Sequence, residues 1–509
     1  QNHLESQYKL SLIFYEDLYV SRNINKAIKY FLLATKQNHS EAPNFLGAIY
    51  LNDKYVPIDV DKGIHYLQLA SAQNCIEAQF LLGIVYSKGN FNCKDKDKAI
   101  NYFKLAANQG YLDALYNLGI IYYKNIDKPR DIELSKHYLL KAARENHSLS
   151  QCALGLIYYD DNIHKDLKKA IHYFELSANQ KNPLALFMLG FIYSEEKDFP
   201  HDINKAIKYY TLSSNLNYAS AQFELGLIYS NEKYTFYDIE KSIHYYKLAA
   251  LNKNSNAQNV LGTFYLKGLN VKQNVNIGIY WLTESAENRN KNACYKLGFL
   301  YHEGKYLSQD INKAIHYYNE ASNDKNQYAK NNLGVIYKNA KNVAKAIELL
   351  TEAFKQKNDF LSMYNLANIY IFTCTNNDDD YSTIIELLAS SSNQGFLPSF
   401  ELLCLFLIKK FGFNHQNFIS EIRKLDIITD ESLTIIYNII EDQKLYDEYV
   451  FELLLDLHRN YYFIYDFNNQ PIELSNIFGT KRDCQKENIK NITVEFYKGF
   501  GYDLYSPTF

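Results

Sequence analysis

Apolar and small residues recur along the chain at i, i+4, i+7 and i+8, the spacing of an amphipathic helix with one buried side. Ala42, Leu46, Ile49 and Tyr50 make one such stripe, and Ala27, Ile28, Phe31 and Ala34 make another. Both stripes repeat. Leu46-Gly47-Ala48-Ile49-Tyr50 returns as Leu82-Gly83-Ile84-Val85-Tyr86 and Leu118-Gly119-Ile120-Ile121-Tyr122. It returns again around Gly155, Gly190, Gly226, Gly262, Gly298 and Gly334, at steps of about 36 residues. Weaker copies begin at Leu10, Leu366 and Leu403. In step with these, Lys26-Ala27-Ile28-Lys29-Tyr30-Phe31 returns as Lys98-Ala99-Ile100-Asn101-Tyr102-Phe103. Further copies centre on Gly63, Ser135, Ala170, Ala206, Ser242, Gly278, Ala314 and Ala346. Each unit therefore predicts two helices that bury their stripes against each other.

The punctuation agrees. An Asp or Asn stands four residues before the small residue of every second helix. The series is Asn23, Asp59, Asp95, Asp131, Asp166, Asp202, Asp238, Asn274, Asp310, Asn342 and Asp380. Such a side chain accepts the free amide protons of a first turn, which predicts an N-cap. Asn38, Asn74, Gly110, Asn146, Asn217, Asn358 and Gly395 precede the first helices. Gly and Asn tolerate the left-handed conformation of a helix stop. Length varies only inside the hairpin, from about 8 residues (Gly334 to Asn342) to about 13 (Ala367 to Asp380). The link between hairpins stays nearly constant, because it sets how units stack. Gly within a first helix costs ~1 kcal/mol relative to Ala. Close approach of the second helix, at Ala27 and its equivalents, would offset that cost. The bulky Tyr and Phe are expected to fill the space between neighbouring hairpins.

These residues resemble the Sel-1-like repeat family of the tetratricopeptide superfamily. Ala78-Gln79-Phe80-Leu81-Leu82-Gly83-Ile84-Val85-Tyr86-Ser87-Lys88-Gly89, then Asp95-Lys96-Asp97-Lys98-Ala99 and Leu105-Ala106-Ala107-Asn108-Gln109-Gly110, carry the resemblance. It covers about residues 1–409, in roughly eleven units. Only Gly89, Gly268 and Gly304 keep the family's turn glycines. The resemblance implies an all-α, right-handed solenoid of antiparallel hairpins that binds other proteins. Relatives include adaptors of endoplasmic-reticulum-associated degradation, activators of fungal chitin synthase and bacterial effectors. The Cys pair that one bacterial subgroup carries in each repeat is absent here.

The third position of the first helix bears on function. It holds Tyr8, Phe80, Tyr116, Phe187, Phe223, Tyr295 and Tyr364, but also Asn44, Asn259 and Asn331. A core slot rarely takes Asn without a partner. The mixture points to a half-exposed slot on the inner groove, where Phe80, Tyr116, Phe187, Phe223 and Tyr295 would dock a partner helix or extended peptide. Plain packing between hairpins is the competing reading. His65, His137, His172, His244 and His316 share one slot of the second helix with Lys29, Asn101 and Lys208, so the slot reads as exposed surface. Zinc ligands must converge on one ion, and hairpins stacked ~10 Å apart keep these imidazoles separate.

No phosphate loop, dinucleotide fingerprint, HExxH or CxxC stands in the sequence. The chain therefore reads as no enzyme, with no cofactor and no metal site. Net charge is −3, from 54 basic and 57 acidic residues, which argues against a nucleic-acid binder. No apolar run approaches the ~20 residues of a membrane span. Seven Cys are too few for a disulfide framework. The composition's odd feature, 47 Tyr against one Trp, has an address: close to half of those Tyr fall in repeat slots such as Tyr50, Tyr86, Tyr30 and Tyr66.

After about residue 410 the repeat fades. Residues 416–425, 431–441 and 444–459 still read as helices, so 410–460 is expected to cap the solenoid. From 461 to 509 the pattern is aromatic and irregular, with a fold-back on the last hairpins or a partner-binding role as alternatives. Asn376 to Asp380 reads as a solvated turn ending in a cap. The function expected is a non-enzymatic scaffold or adaptor, in a ubiquitin-ligase complex by resemblance. The first residue is Gln and already lies in register with a repeat, so the array reads as cut. A regulatory half of a larger enzyme, with a kinase domain upstream, is the rival; a bacterial effector acting on host trafficking is another. Compartment is open between the cytoplasm and, given an upstream signal, the endoplasmic-reticulum lumen.

Overall fold

The computed structural model describes residues 3–406, apart from 17–19, 53–55, 89–92, 124–130, 161–164, 196–199, 323–325, 358, 374–377 and scattered positions between 393 and 405. It also describes 463–465 and 471–473. The chain divides into two compact units, 1–225 and 226–509.

Twenty-two α-helices stand among the described residues. In the first unit α1 (Leu4–Glu16) pairs with α2 (Ile24–Lys36), α3 (Ala42–Tyr50) with α4 (Val60–Ala72) and α5 (Ile76–Lys88) with α6 (Lys96–Asn108). Next come α7 (Leu112–Tyr123) with α8 (Ile132–Arg144), α9 (Ser148–Tyr159) with α10 (Leu167–Asn179) and α11 (Pro183–Glu195) with α12 (Ile203–Ser214). The boundary between units falls inside α13 (Ala219–Ser230), which precedes α14 (Ile239–Leu251). In the second unit α15 (Ser255–Lys267) pairs with α16 (Val275–Glu287) and α17 (Lys291–Glu303) with α18 (Ile311–Ser322). Then α19 (Gln327–Asn339) pairs with α20 (Val343–Lys357) and α21 (Phe360–Thr373) with α22 (Asp378–Ser392). Within each unit, successive hairpins pack on one another, as a helical repeat array requires.

The caps are where the sequence puts them. Asp59 Oδ1 accepts the Lys62 amide at 3.0 Å, and Asp95, Asp166 and Asp310 do the same for Lys98, Lys169 and Lys313. Asn23, Asp131, Asp202, Asp238, Asn274 and Asn342 complete the series. Asp380 is the exception. Helix α22 begins at Asp378, so Asp380 lies within its first turn and not at its cap.

Asn38, Asn74, Asn146 and Asn217 take φ of 63°, 61°, 60° and 59°, and Gly110 takes 87°. Asn358 and Gly395 lie outside the described residues. Three stops were not legible: Lys181, Lys253 and Arg289 hold the same left-handed slot, at φ 59°, 62° and 61°. Long basic side chains carry no signal for that conformation, so link length alone marks them.

The close approach at the helical glycines is made by a large side chain of the second helix. A Cβ on Gly83 would stand 2.5 Å from Phe103, and one on Gly47 would stand 2.5 Å from Leu67. Phe103 and Leu67 are fully buried, so the missing Cβ is the space they fill. Tyrosine placement divides one expectation in two. Tyr50 stacks on Tyr66 at 5.9 Å, Tyr86 on Tyr102 at 5.8 Å and Tyr301 on Tyr317 at 5.8 Å. Each pair joins the two helices of one hairpin, not two neighbouring hairpins. The cap residue completes the cluster: Lys62 Nζ lies 2.7 Å from Asp59 Oδ2 and 5.5 Å from the Tyr50 ring.

Other rings do fill the space between neighbouring hairpins, as Tyr15 and Phe31 do against Phe45 and Tyr159 does against Phe191, and buried glutamines add hydrogen bonds at the helix ends. Gln151 Oε1 accepts from Gln180 Nε2 at 2.7 Å, while its own Nε2 reaches the Ala143 carbonyl at 3.3 Å. Gln258 does the same with Asn288, at 3.1 Å, and the Ala250 carbonyl, at 3.1 Å. Each Gln thus links the end of the preceding second helix to the end of its own.

The helices expected between 416 and 459 lie outside the described residues. Within 461–509 stand two strands, β1 (Phe463–Tyr465) and β2 (Pro471–Glu473), antiparallel with Ile464 opposite Ile472. Strand β1 lies against α19 and reaches α21.

Candidate protein-binding face

First helices of neighbouring hairpins lie side by side: α3 by α5, α7 by α9 and α9 by α11 in the first unit, α19 by α21 in the second. Within each unit they present a face with three slots per helix. In α5 these are Phe80, Leu81 and Ile84, all half-buried. In α7 they are Tyr116, Asn117 and Ile120, and in α11 Phe187, Met188 and Phe191, again half-buried. An apolar side chain left partly in water here is ready to lose more water to a partner.

The structure places the five candidates unequally. Phe80 packs on Tyr111 at 4.9 Å and Phe103 at 5.8 Å between ring centroids. Phe187 packs likewise on Tyr218 at 5.3 Å and Tyr210 at 5.7 Å. Tyr116 meets His147 at 6.0 Å. These three and Phe223 keep an open edge. Tyr295 does not: it is 3% exposed, between Tyr318 and Tyr328.

In the second unit the same slots close and change chemistry. In α15 Asn259, Val260 and Thr263 are half-buried; in α17 Phe299 has fallen to 2% exposure. In α19 Asn331, Asn332 and Val335 are at 0%, and so are Tyr364, Asn365 and Asn368 of α21. Asn365 Nδ2 donates to Asn331 Oδ1 at 2.9 Å, Ser362 Oγ donates to the same oxygen at 3.2 Å, and Asn332 Nδ2 donates to the Tyr318 hydroxyl at 3.1 Å. This buried amide cluster is the feature that sequence reading missed. The Asn331 slot was visible, but its partners Ser362 and Asn365 stand in the next hairpin, where residue type alone does not mark them.

Charge differs between the faces of the two units as well. In the first unit, burial and then the neighbouring Glu195 carboxylate push the Glu224 carboxyl up. In the second, burial and then the Lys267 cation bring the Lys296 ammonium down to about 8, while its Nζ donates to Thr263 Oγ1 at 2.7 Å. Burial alone takes the His302 imidazole, behind this face in α17, down to about 4. The five histidines of the second-helix slot are all exposed, each edge-on to the following Tyr where that ring is its neighbour, as His65 is to Tyr66 at 5.3 Å. Among the described residues no group of His, Cys, Asp or Glu is arranged to hold a metal ion, and no helix is long and apolar enough to cross a membrane. The face offers apolar contact and amide hydrogen bonds.

Paired helices stacked at a 36-residue step, with this face on the first helix of each pair, define an α-solenoid of the tetratricopeptide kind. The Sel1 repeat model matches ten times, over residues 4–39, 40–75, 76–111, 112–147, 148–182, 183–218, 219–254, 255–290, 291–326 and 327–358. The chain belongs to the Sel1 repeat family. Among solved structures it is similar to c5321, a protective antigen of uropathogenic Escherichia coli with an SLR fold. Identity is 22%, over 90% of this chain and 94% of that one, with a TM-score of 0.49. A Sel1 repeat protein of Oxalobacter formigenes shares 23% identity over 66% of this chain and 96% of its own, with a TM-score of 0.46. Yeast Tom70 shares 13% over 89% and 99%, with a TM-score of 0.27. Among curated proteins none matches this sequence.

Proposed function

We propose that the chain is a non-enzymatic scaffold that holds partner proteins on its first-helix face. One observation carries this reading: Phe80, Leu81, Ile84, Phe187, Met188 and Phe191 stay half-open in slots that α19 and α21 bury completely. Binding there gains from apolar area already ordered on rigid helices, so little side-chain freedom is lost on docking. The partner segment is a helix or an extended peptide. By family resemblance, the narrower version is an adaptor of a ubiquitin-ligase complex in endoplasmic-reticulum protein degradation. A complete coding sequence without a secretory signal removes that version and leaves the scaffold.

Photo-crosslinking tests the face. A benzophenone side chain at Leu81 or Ile84 is expected to capture proteins from native lysate, and one at Leu105, exposed on a second helix, is not. Equal capture from both helices contradicts the assignment of the face, and capture from neither contradicts the scaffold.

A further inference from the structure

The second unit holds a lysine whose charge its own fold leaves uncompensated. Asn259, Thr263 and Lys267 recur every four residues along one side of α15. Lys296 of α17 reaches that side from the next hairpin. Its Nζ donates to Thr263 Oγ1 at 2.7 Å, and Thr263 Oγ1 in turn donates to the Asn259 carbonyl at 2.9 Å. Lys296 is half-buried, in a slot between Tyr295 at 3% exposure and Phe299 at 2%. An ammonium brings three donors, and Thr263 takes one of them. Among the described residues Lys296 makes no ion pair, and the charge that acts on it is a second cation, Lys267. The next first helix shows the alternative: Lys330 of α19 is held by Glu352 Oε2 at 2.7 Å.

A second donor stands beside Lys296. The Asn259 side chain, one turn before Thr263, makes no hydrogen bond among the described residues. Its Oδ1 is turned inward and buried, so the open end of the carboxamide is the Nδ2 donor. Taking a cation partly out of water is unfavourable unless a counter-ion or a full set of acceptors replaces the water. Burial first, and Lys267 second, bring the Lys296 ammonium down to about 8 for this reason. The site therefore offers donors and positive charge, and lacks an acceptor with negative charge. A carboxylate supplies that in two oxygens, one for each donor. A carboxylate carried by a segment already docked on the face arrives at high local concentration, which a dissolved anion does not.

We propose that Asn259, Thr263 and Lys296 form a subsite for an Asp or Glu side chain of the partner segment, with its carboxylate on Lys296 Nζ and Asn259 Nδ2. This subsite rests on the reading of the first-helix face as the binding surface, and names the chemistry that the second unit selects. Lys296 is its specificity residue. Its charge destabilises the free chain and is neutralised on docking.

The test uses the full chain and two peptide libraries, acetylated and amidated so that the termini carry no charge, alike except for one central Glu or Gln. The Glu library should bind at least about tenfold more tightly. Lys296→Arg should keep that preference. Lys296→Met should erase it and, by removing an uncompensated charge, raise the Tm of the free chain. In the native chain, acylation of Lys296 by a succinimidyl ester, read by mass spectrometry, should slow when the Glu library is bound. Equal binding of the two libraries, binding of neither, or a Glu preference that survives Lys296→Met overturns the proposal. Equal protection of Lys296 by inorganic phosphate, or tighter binding of a library with a free C-terminal carboxylate and no Glu, overturns the assignment to a partner's side chain. If the subsite fails while Leu81 and Ile84 still crosslink, the scaffold reading stands; a Glu preference without those crosslinks sinks the scaffold reading and leaves the subsite.

Discussion

Helices α5 and α19 occupy the same place in their repeats and meet opposite fates. In α5 the slots of Phe80, Leu81 and Ile84 stay half-open; in α19 the matching Asn331, Asn332 and Val335 see no solvent. The buried chassis beneath them is the same. A large second-helix residue, Phe103 in one and Leu350 in the other, fills the space left by Gly83 or Gly334. The repeat thus separates two jobs. Positions facing the partner helix are fixed by packing and recur with the period. Positions on the outer side of the first helix are free to vary, and their chemistry records what covers each one.

The largest expected effect tests the shared chassis. Phe103→Ala and Leu350→Ala should each cost about 3–5 kcal/mol in denaturant unfolding, because each leaves a cavity over a glycine that cannot collapse into it. A loss under 1 kcal/mol at either site would show that the two regions are not built alike. Next is His302, fully buried in α17, where the face begins to close. Its pKa falls to about 4 in the folded chain, below the unfolded value of about 6.5. Its contribution is therefore complete above pH 6.5 and is lost as pH falls from there toward 4, by about 2–3 kcal/mol. His302→Phe should flatten that part of the stability–pH curve.

The face itself comes third. Asn365→Leu should cost about 1–3 kcal/mol, since it strips a buried partner from Asn331. Asn117→Leu, in an open slot of α7, should stay within about 0.5 kcal/mol. Equal costs would erase the contrast between the regions. The smallest effect is a gain: Lys181→Gly in the first unit and Arg289→Gly in the second should each stabilise by about 0.5–1 kcal/mol, by relieving left-handed backbone at a non-Gly residue.

The hairpins, their ten Asx caps from Asn23 to Asn342 and the packing role of glycine were legible because each recurs at a fixed offset. A periodic signal averages out local exceptions. The aromatic residues were legible as slots, and rings such as Tyr15, Phe45, Tyr159 and Phe191 do meet between hairpins, but the sequence does not say that two rings sixteen residues apart, such as Tyr50 and Tyr66, meet within one. The left-handed stops at Lys181, Lys253 and Arg289 were hidden by residue type. The site was half legible. The alternation of aromatic residues with Asn at the third position marked a face that is not core, and Phe80, Tyr116, Phe187 and Phe223 lie on it. Tyr295 and Asn331 share that slot and are buried all the same, Tyr295 between Tyr318 and Tyr328 and Asn331 bonded to Ser362 and Asn365 of α21, and the residue type in one slot does not announce such partners.

Hydroxyl-radical footprinting of Ile84 and Val335 tests the account most directly, since both are aliphatic residues in one slot of the repeat. In the native chain Ile84, half-buried, should oxidise and Val335, fully buried, should be protected. Equal oxidation of the two would contradict the claim that the first-helix face is open in α5 and closed in α19.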